Sequence, residues 1–179
     1  MVRAAALSLL LLAAPTLAQS REGFIAGPVL PDVGPIAPVQ SDLPIPTGAQ
    51  FKIAFDLHIK ADAGGLSRQI ETAARTLNMH VAAGVPQKDV QIVLIAHGPA
   101  AMDLLKPEAF AARNDGKTNG SLAAVQKLLG QGVEIYLCGQ TAANQKISKA
   151  DLIPGVKMAL SAITAHALYQ QRGYTLNPF

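Results

Sequence analysis

The chain contains a single cysteine, Cys138, at a position suited to chemistry. Cys138 ends an apolar run, residues 133–138, that is typical of a buried strand, and a glycine follows at once. Residues 139–144 indicate a turn into a helix, and the unpaired N–H groups at a helix start favour a thiolate. Cys138 is therefore a candidate nucleophile. The alternative is a small buried hydrophobic residue, the commonest role of a lone cysteine.

Two histidines, His58 and His97, end apolar runs in the same way. Imidazole at such a place can act as a general base, a hydrogen-bond donor or a metal ligand. A histidine that simply bonds a loop carbonyl is the alternative for both. Because Gly98 follows His97 and opens a loop, we expect the His97 ring to face the same crevice as Cys138.

The remaining polar candidates have weaker support. His80 and His166 fall on predicted helices, where we expect packing or surface roles, and we expect Asp56 to belong to a solvated loop surface. A metal site made of His58, His97 and Cys138 is conceivable, because imidazole and thiolate bind first-row metals. No two of these three have the local spacing of common ligand pairs, so we expect no metal and no cofactor.

These side chains need elements that bring them together, and the chain alternates strand and helix patterns. Strand patterns cover residues 51–58, 90–97 and 133–138, and two further short strands are expected at 156–159 and 174–179. Helix patterns lie between the strands, beginning with an apolar stripe over residues 66–81. The alternation predicts an α/β fold, a three-layer sandwich with a mainly parallel sheet of about five strands and helices on both faces.

A parallel sheet gives the candidates a common location. Ligand crevices lie outside the carboxyl ends of such strands. His58 ends the first predicted strand, His97 the second and Cys138 the third. Whether they converge therefore depends on strand order.

Residues 1–18 predict a secretory signal peptide, with a basic start, an apolar run and a small-x-small ending at Ala18. A membrane anchor needs about 20 apolar residues, and Pro15 interrupts the run before that length. We expect cleavage, a periplasmic location and no membrane attachment afterwards.

Residues 19–50 form a proline-rich arm that holds half of the 12 prolines. This density excludes a helix or a central strand. The arm is either a flexible leader or, because several of its residues are apolar, a segment that lies on a neighbouring subunit. Residues 51–179 are expected to form one domain.

The composition excludes several classes of protein. Half of the residues are hydrophobic and 15% are charged, which excludes a disordered chain. The formal net charge is +3 and the basic residues are scattered singly, so we expect no nucleic-acid partner. The sequence contains no phosphate-binding, dinucleotide-binding, nucleophile-elbow or HExxH motif. One cysteine excludes a disulfide within the chain.

Several segments together resemble the DsrE/DsrF-like family. They are LNMH at 77–80, AGVP at 83–86, LIAHG at 94–98, GVEIYLCGQ at 132–140, LIPGV at 152–156 and QRGY at 171–174. The resemblance extends over residues 51–179, and its most specific part is the YLCGQ run around Cys138.

The resemblance implies an α/β sandwich, assembly into homotrimers or hexamers and, in sulfur-relay members, a cysteine after the third strand that carries sulfur as a persulfide. Cys138 occupies that position. Some relatives have a second cysteine about three residues later, where this chain has Thr141, so sulfur would have to pass to another molecule. The signal peptide is a second departure, because the well-known relay members work in the cytoplasm.

The leading hypothesis is therefore a periplasmic sulfur carrier or sulfurtransferase-like protein that exchanges sulfur with a sulfane-sulfur donor and an acceptor thiol. His97 would tune the catalytic Cys138, and the N–H groups of Gly139 and Gln140 would stabilise its anion. The expected ligand-binding residues are His58, Gly98, Gly139, Gln140, Thr141 and Asn144. One alternative is a non-catalytic module that binds a small ligand or assembles subunits, and another is a metal-dependent enzyme that uses His58 and His97.

Overall fold

The computed structural model describes residues 22–178, and five strands form a single sheet within them. The expected signal peptide lies outside the described residues. The strands are β1 (Phe51–Leu57), β2 (Val90–Ala96), β3 (Glu134–Cys138), β4 (Lys157–Ala159) and β5 (Thr175–Asn177). The α-helices are α1 (Arg68–Ala82), α2 (Pro107–Ala111), α3 (Leu122–Gly130), α4 (Gly139–Asn144) and α5 (Ala162–Gln171). Short 3₁₀ helices cover Gln87–Asp89, Gly98–Leu104 and Lys149–Asp151.

All strand pairs in the sheet are parallel, in the order β4-β3-β2-β1-β5. The expected mainly parallel sheet of about five strands is confirmed. In the register, Leu57 pairs with Ala96 and Ala96 pairs with Leu137. Strands β1, β2 and β3 are therefore neighbours whose carboxyl ends lie level with one another.

Side chains alternate between the two faces of each strand and form two cores of unequal size. On the larger face, Phe55, Leu94 and Leu137 pack in a cluster that includes side chains of α1 and α3. On the smaller face, residues such as Ile95 pack against Tyr169 and other side chains of α5. Helices on both faces form the expected three-layer sandwich. Helix α5 covers the face of the sheet that carries Cys138.

The helix boundaries follow from local chemistry. Ser67 caps α1 and Ser161 caps α5, each through a side-chain oxygen that accepts a hydrogen bond from a backbone N–H of the first turn. The helical pattern after residue 98 divides into a 3₁₀ helix and α2, because Pro107 keeps Lys106 extended. Among residues 22–178, no helix has the length and apolar content needed to cross a membrane.

Part of the proline-rich arm packs on its own chain. Ile25 and Ile36 exchange two backbone hydrogen bonds of 2.8 and 2.9 Å, which close residues 25–36 into a loop. Leu30 and Val33 in this loop join the larger core. Residues 30–36 are therefore not a free leader, because the same chain buries Leu30, Val33 and Ile36, whereas Ile25 is 54% exposed. Contact of the arm with a neighbouring subunit stays a prediction. Val39, beyond the loop, is 77% exposed.

The side chain of Asn78 on α1 holds this loop. Its Oδ1 accepts hydrogen bonds from the N–H groups of Val29 and Leu30 at 3.1 and 2.9 Å. Its Nδ2 donates to the carbonyls of Leu30, Val33 and Gly34, each at 3.0 Å. Asn78 is fully buried, so one amide satisfies backbone groups that water does not reach.

We expect Asn78→Ala to lower the free energy of unfolding by about 2–4 kcal/mol, because buried backbone groups would lose their partners. Urea unfolding followed by circular dichroism measures the loss, and limited proteolysis should show new cleavage within residues 25–36. The matched control is Asn144→Ala, because Asn144 is exposed and its loss should change stability by no more than about 0.5 kcal/mol. Equal stability of the two variants would contradict the role of Asn78.

Candidate functional site

The carboxyl ends of β1, β2 and β3 bring the chemistry-bearing side chains to the face that α5 covers. Asp56 and His58 are two residues apart on and just after β1, so alternation places them on the same side of the sheet. His97 follows β2 by one residue, and its N–H donates to the Leu57 carbonyl at 2.8 Å. The rings of His58 and His97 are 6.0 Å apart between centroids. Their convergence results from the neighbouring positions of β1 and β2.

The Asp56 carboxylate is the centre of this histidine cluster. Oδ1 accepts a hydrogen bond from Nε2 of His166 at 2.8 Å, and Oδ2 accepts one from Nε2 of His97 at 3.2 Å. Nδ1 of His58 lies 3.7 Å from Oδ2. Burial raises the pKa of Asp56, but the hydrogen bonds and charges of His166 and His97 outweigh burial and hold the pKa below its usual value.

Two of these residues have contacts that the sequence analysis did not foresee. Asp56 was expected on a solvated loop surface, but it lies on β1 and its carboxylate accepts a hydrogen bond from His166. His166 was expected in a packing or surface role, and its side chain, which is 13% exposed, also donates this hydrogen bond. The two-residue spacing of Asp56 and His58 was the available signal for Asp56. His166 had no comparable signal. It lies 110 residues after Asp56 in the chain, and the packing of α5 on the sheet brings the two side chains together.

Gln69 of α1 holds the backbone that carries Asp56 and His58. Its Oε1 accepts hydrogen bonds from the N–H groups of His58 and Ile59, both at 2.9 Å, and its Nε2 donates to the Asp56 carbonyl at 3.0 Å. Gln69 is buried. The end of β1 therefore has a defined position from which its side chains reach the crevice.

A second set of contacts links the end of β2 to α4. Gly98 has φ +54°, a left-handed conformation that glycine adopts without steric cost. Its N–H donates to Oγ1 of Thr141 at 3.0 Å, and its carbonyl accepts from Nε2 of Gln145 at 2.9 Å. The structure thus brings Gly98 and Thr141 together, whereas Asn144, at the end of α4, is exposed. Gln145 is a contact residue that the sequence analysis missed.

Cys138 ends β3 and caps α4 on the face that α5 covers. The residue is 6% exposed. Burial raises the pKa of the thiol. Hydrogen bonds lower it by more than burial raises it, and they come from the N–H groups of Thr141, Ala162 and Gln140 and from the hydroxyl of Thr141. The net pKa therefore lies below the usual value. Ala162, the first residue of α5, is a contributor that the sequence analysis did not identify.

Gly139 has a steric role in this arrangement. A Cβ at this position would lie 2.6 Å from the Ala159 carbonyl oxygen and 3.0 Å from that of Leu160. Glycine therefore lets the β3–α4 junction lie close to the link between β4 and α5. This close approach places the Ala162 N–H, at the start of α5, near the sulfur. The Gln140 side chain donates to the Leu160 carbonyl at 3.2 Å, so Gln140 acts on the thiol through its backbone.

The possible metal ligands form a group without the cysteine. One ligand atom each from Asp56, His58 and His97 lie within 4.8 Å of one another. The metal set considered from sequence combined both histidines with Cys138, and among the described residues the sulfur does not belong to this group.

A parallel α/β sandwich with a cysteine at the end of its third strand and a histidine cluster at the ends of its first two strands defines a class of small α/β proteins. The family model of the DsrE/DsrF-like family matches residues 54–178, and the chain belongs to this family. The resemblance noted in the sequence is thereby confirmed.

Two solved structures show the same fold. Protein MTH1491 from Methanobacterium thermoautotrophicum, described as a protein of unknown function, has 18% sequence identity and a TM-score of 0.55, covering 73% of this chain and 100% of its own. The ychN protein from E. coli has 15% identity and a TM-score of 0.54, with the same coverage of 73% and 100%. No curated protein matches the chain in sequence.

We expect Thr141→Val to raise the pKa of Cys138 by roughly one to two units, because a hydrogen bond to a charged group contributes about 1.5–3 kcal/mol and one unit is about 1.4 kcal/mol. The pH dependence of the iodoacetamide reaction measures the midpoint. Thr141→Ser keeps the hydroxyl and should retain the wild-type midpoint. A Val variant that reacts with the wild-type pH profile would show that the hydroxyl does not act on the thiol.

Proposed function

We propose that this DsrE/DsrF-like protein is a sulfur carrier that holds sulfane sulfur on Cys138 as a persulfide. The supporting observation is the environment of the thiol. The chain has one cysteine, and its pKa is lowered by N–H groups from α4 and α5 and by the Thr141 hydroxyl. A thiolate is the nucleophile that sulfur exchange requires.

The proposed reaction is a pair of exchanges at sulfur. The Cys138 thiolate attacks the sulfane sulfur of a donor such as thiosulfate, a new S–S bond forms, and the bond to sulfite breaks with sulfite leaving with the electron pair. An acceptor thiolate then attacks the outer sulfur of the protonated persulfide, Cys138–S–SH. The S–S bond to Cys138 breaks, the thiolate is regenerated and the acceptor leaves as a persulfide. The cycle needs no external oxidant or reductant.

The single thiol restricts where the bound sulfur can go. Since the chain has no second cysteine, no intramolecular disulfide can release the sulfur, and the acceptor has to be another molecule. The 6% exposure of Cys138 favours small donors such as thiosulfate or a polysulfide over a bulky one. The donor and acceptor are thus proposed as small sulfane-sulfur compounds and thiols.

His97 is the residue we propose to assist the exchange. It lies at the end of β2, the strand next to β3, and Asp56 bonds its Nε2 at 3.2 Å. With Nε2 engaged, Nδ1 is the nitrogen left to exchange a proton with the crevice. The Gly98–Thr141 hydrogen bond ties the loop after His97 to the residue that donates to the thiol. One hydrogen bond thus connects the loop after His97 to the helix that follows Cys138.

The test is sulfur loading followed by intact-mass spectrometry. We expect thiosulfate or polysulfide to add one sulfur atom to the wild-type chain, and a small thiol such as glutathione to remove it while gaining a persulfide. Cys138→Ser is the matched control and should gain none. Failure of wild-type loading, or equal loading of the Ser variant, would reject the sulfur-carrier function.

We also propose that the protein is exported, on the strength of residues 1–18, and that it forms a homotrimer or homohexamer. Support for self-association comes from an apolar surface beside and along α5. Leu160, Ile163 and Leu168 are 72%, 82% and 47% exposed. Such large side chains in contact with water favour burial against another surface.

We expect Ile163→Glu to dissociate the oligomer, because a charge would replace a side chain whose burial is worth about 1.5–3 kcal/mol per subunit. Size-exclusion chromatography with light scattering measures the mass. Leu43→Glu is the control, since Leu43 is 81% exposed in the proline-rich arm and tests whether the arm carries the interface instead. A monomeric wild type, or an Ile163→Glu variant of unchanged mass, would reject an interface at α5.

A further inference from the structure

We propose that Asp56, His58 and His97 form a binding site for a divalent first-row transition-metal ion. One ligand atom from each side chain lies within 4.8 Å of the others. Nε2 of His97, which hydrogen-bonds Oδ2 of Asp56, would give up its proton to bind the metal. The site includes no atom of Cys138, although it shares His97 with the proposed sulfur exchange.

The distances suit a common ion. Oδ2 of Asp56 lies 3.2 Å from Nε2 of His97 and 3.7 Å from Nδ1 of His58. Ligand atoms bound tetrahedrally at about 2.0–2.1 Å from zinc are about 3.3–3.4 Å apart. The two distances from Oδ2 lie on either side of this value, and they are compatible with one ion bound by all three side chains.

The ligand types select the class of metal. Two imidazole nitrogens with one carboxylate oxygen suit Zn²⁺, Co²⁺ or Fe²⁺, whereas Mg²⁺ and Ca²⁺ prefer oxygen ligands. Three protein ligands leave at least one coordination position for water or a small ligand. The side chains of His58 and His97 are 45% and 37% exposed, so that position opens toward solvent.

The surroundings hold the ligands as a metal site requires. His166, whose side chain is 13% exposed, donates from Nε2 to Oδ1 of Asp56 at 2.8 Å and orients the carboxylate through the oxygen that the metal would not use. Gln69 fixes the backbone of Asp56 and His58. The His97 N–H donates to the Leu57 carbonyl. Outer partners of this kind are characteristic of metal sites.

The direct test is titration of the metal-stripped, untagged protein with Zn²⁺ by isothermal titration calorimetry. We expect one ion per chain. Co²⁺ should give visible absorption bands without a thiolate-to-metal charge-transfer band, because the ligands are nitrogen and oxygen. Cys138→Ser should bind Zn²⁺ as the wild type does. Absence of stoichiometric binding, a charge-transfer band or loss of binding in the Ser variant would overturn the site.

Histidine variants locate the ion. His166→Gln should weaken Zn²⁺ binding roughly 10–100-fold as the loss of an outer partner, and His58→Ala should weaken it more as the loss of a ligand. His58 is exposed, so its truncation spares the fold. The matched control is His80→Ala, because His80 lies on α1 and bonds the Thr76 carbonyl. Equal affinity in His58→Ala and wild type, or equal losses in His58→Ala and His80→Ala, would reject the assignment.

Sulfur loading of the metal-stripped protein separates this inference from the proposed function. Sulfur loading without Zn²⁺ binding would reject the metal site and support the sulfur carrier. Zn²⁺ binding without sulfur loading would support the metal site and reject the sulfur carrier. Each result counts for or against one of the two sites.

Discussion

The structure depends on one constraint, the level carboxyl ends of three neighbouring parallel strands. Because β1, β2 and β3 are adjacent and in register, residues that are far apart along the chain end at the same edge of the sheet. Alternation then directs every second side chain to the face under α5. For this reason Asp56, His97 and Cys138 lie at the same edge and on the same face of the sheet, beside the loops that follow the strands.

This edge of the sheet carries two chemically distinct groups of side chains. At the end of β3, N–H groups from two helix starts and a hydroxyl lower the pKa of a nearly buried thiol. At the ends of β1 and β2, a carboxylate lies among histidines, two of which are well exposed. The Gly98–Thr141 contact connects the two groups.

The larger face of the sheet has a supporting role. The loop at residues 25–36 adds apolar side chains to the core over α1, and Asn78 satisfies the backbone groups that this burial would otherwise leave without partners. Gln69, on the same helix, holds the end of β1. Helix α1 thus anchors both the N-terminal segment and the strand that carries Asp56, and stability and site geometry depend on the same element.

The sequence by itself determined the strand and helix pattern and the parallel α/β class, because hydrophobic periodicity, glycines and caps act locally. The family resemblance came from specific segments, above all the YLCGQ run around Cys138. It also indicated His58, His97 and Cys138, since strand ends can be recognised in the chain. Only the tertiary structure decided which residues meet. The packing of α5 brought His166 to Asp56 and the Ala162 N–H to the sulfur, and packing on α1 covered the proline-rich loop. These contacts depend on how helices and strands that are far apart in the chain pack against each other, and no local sequence pattern determines that packing.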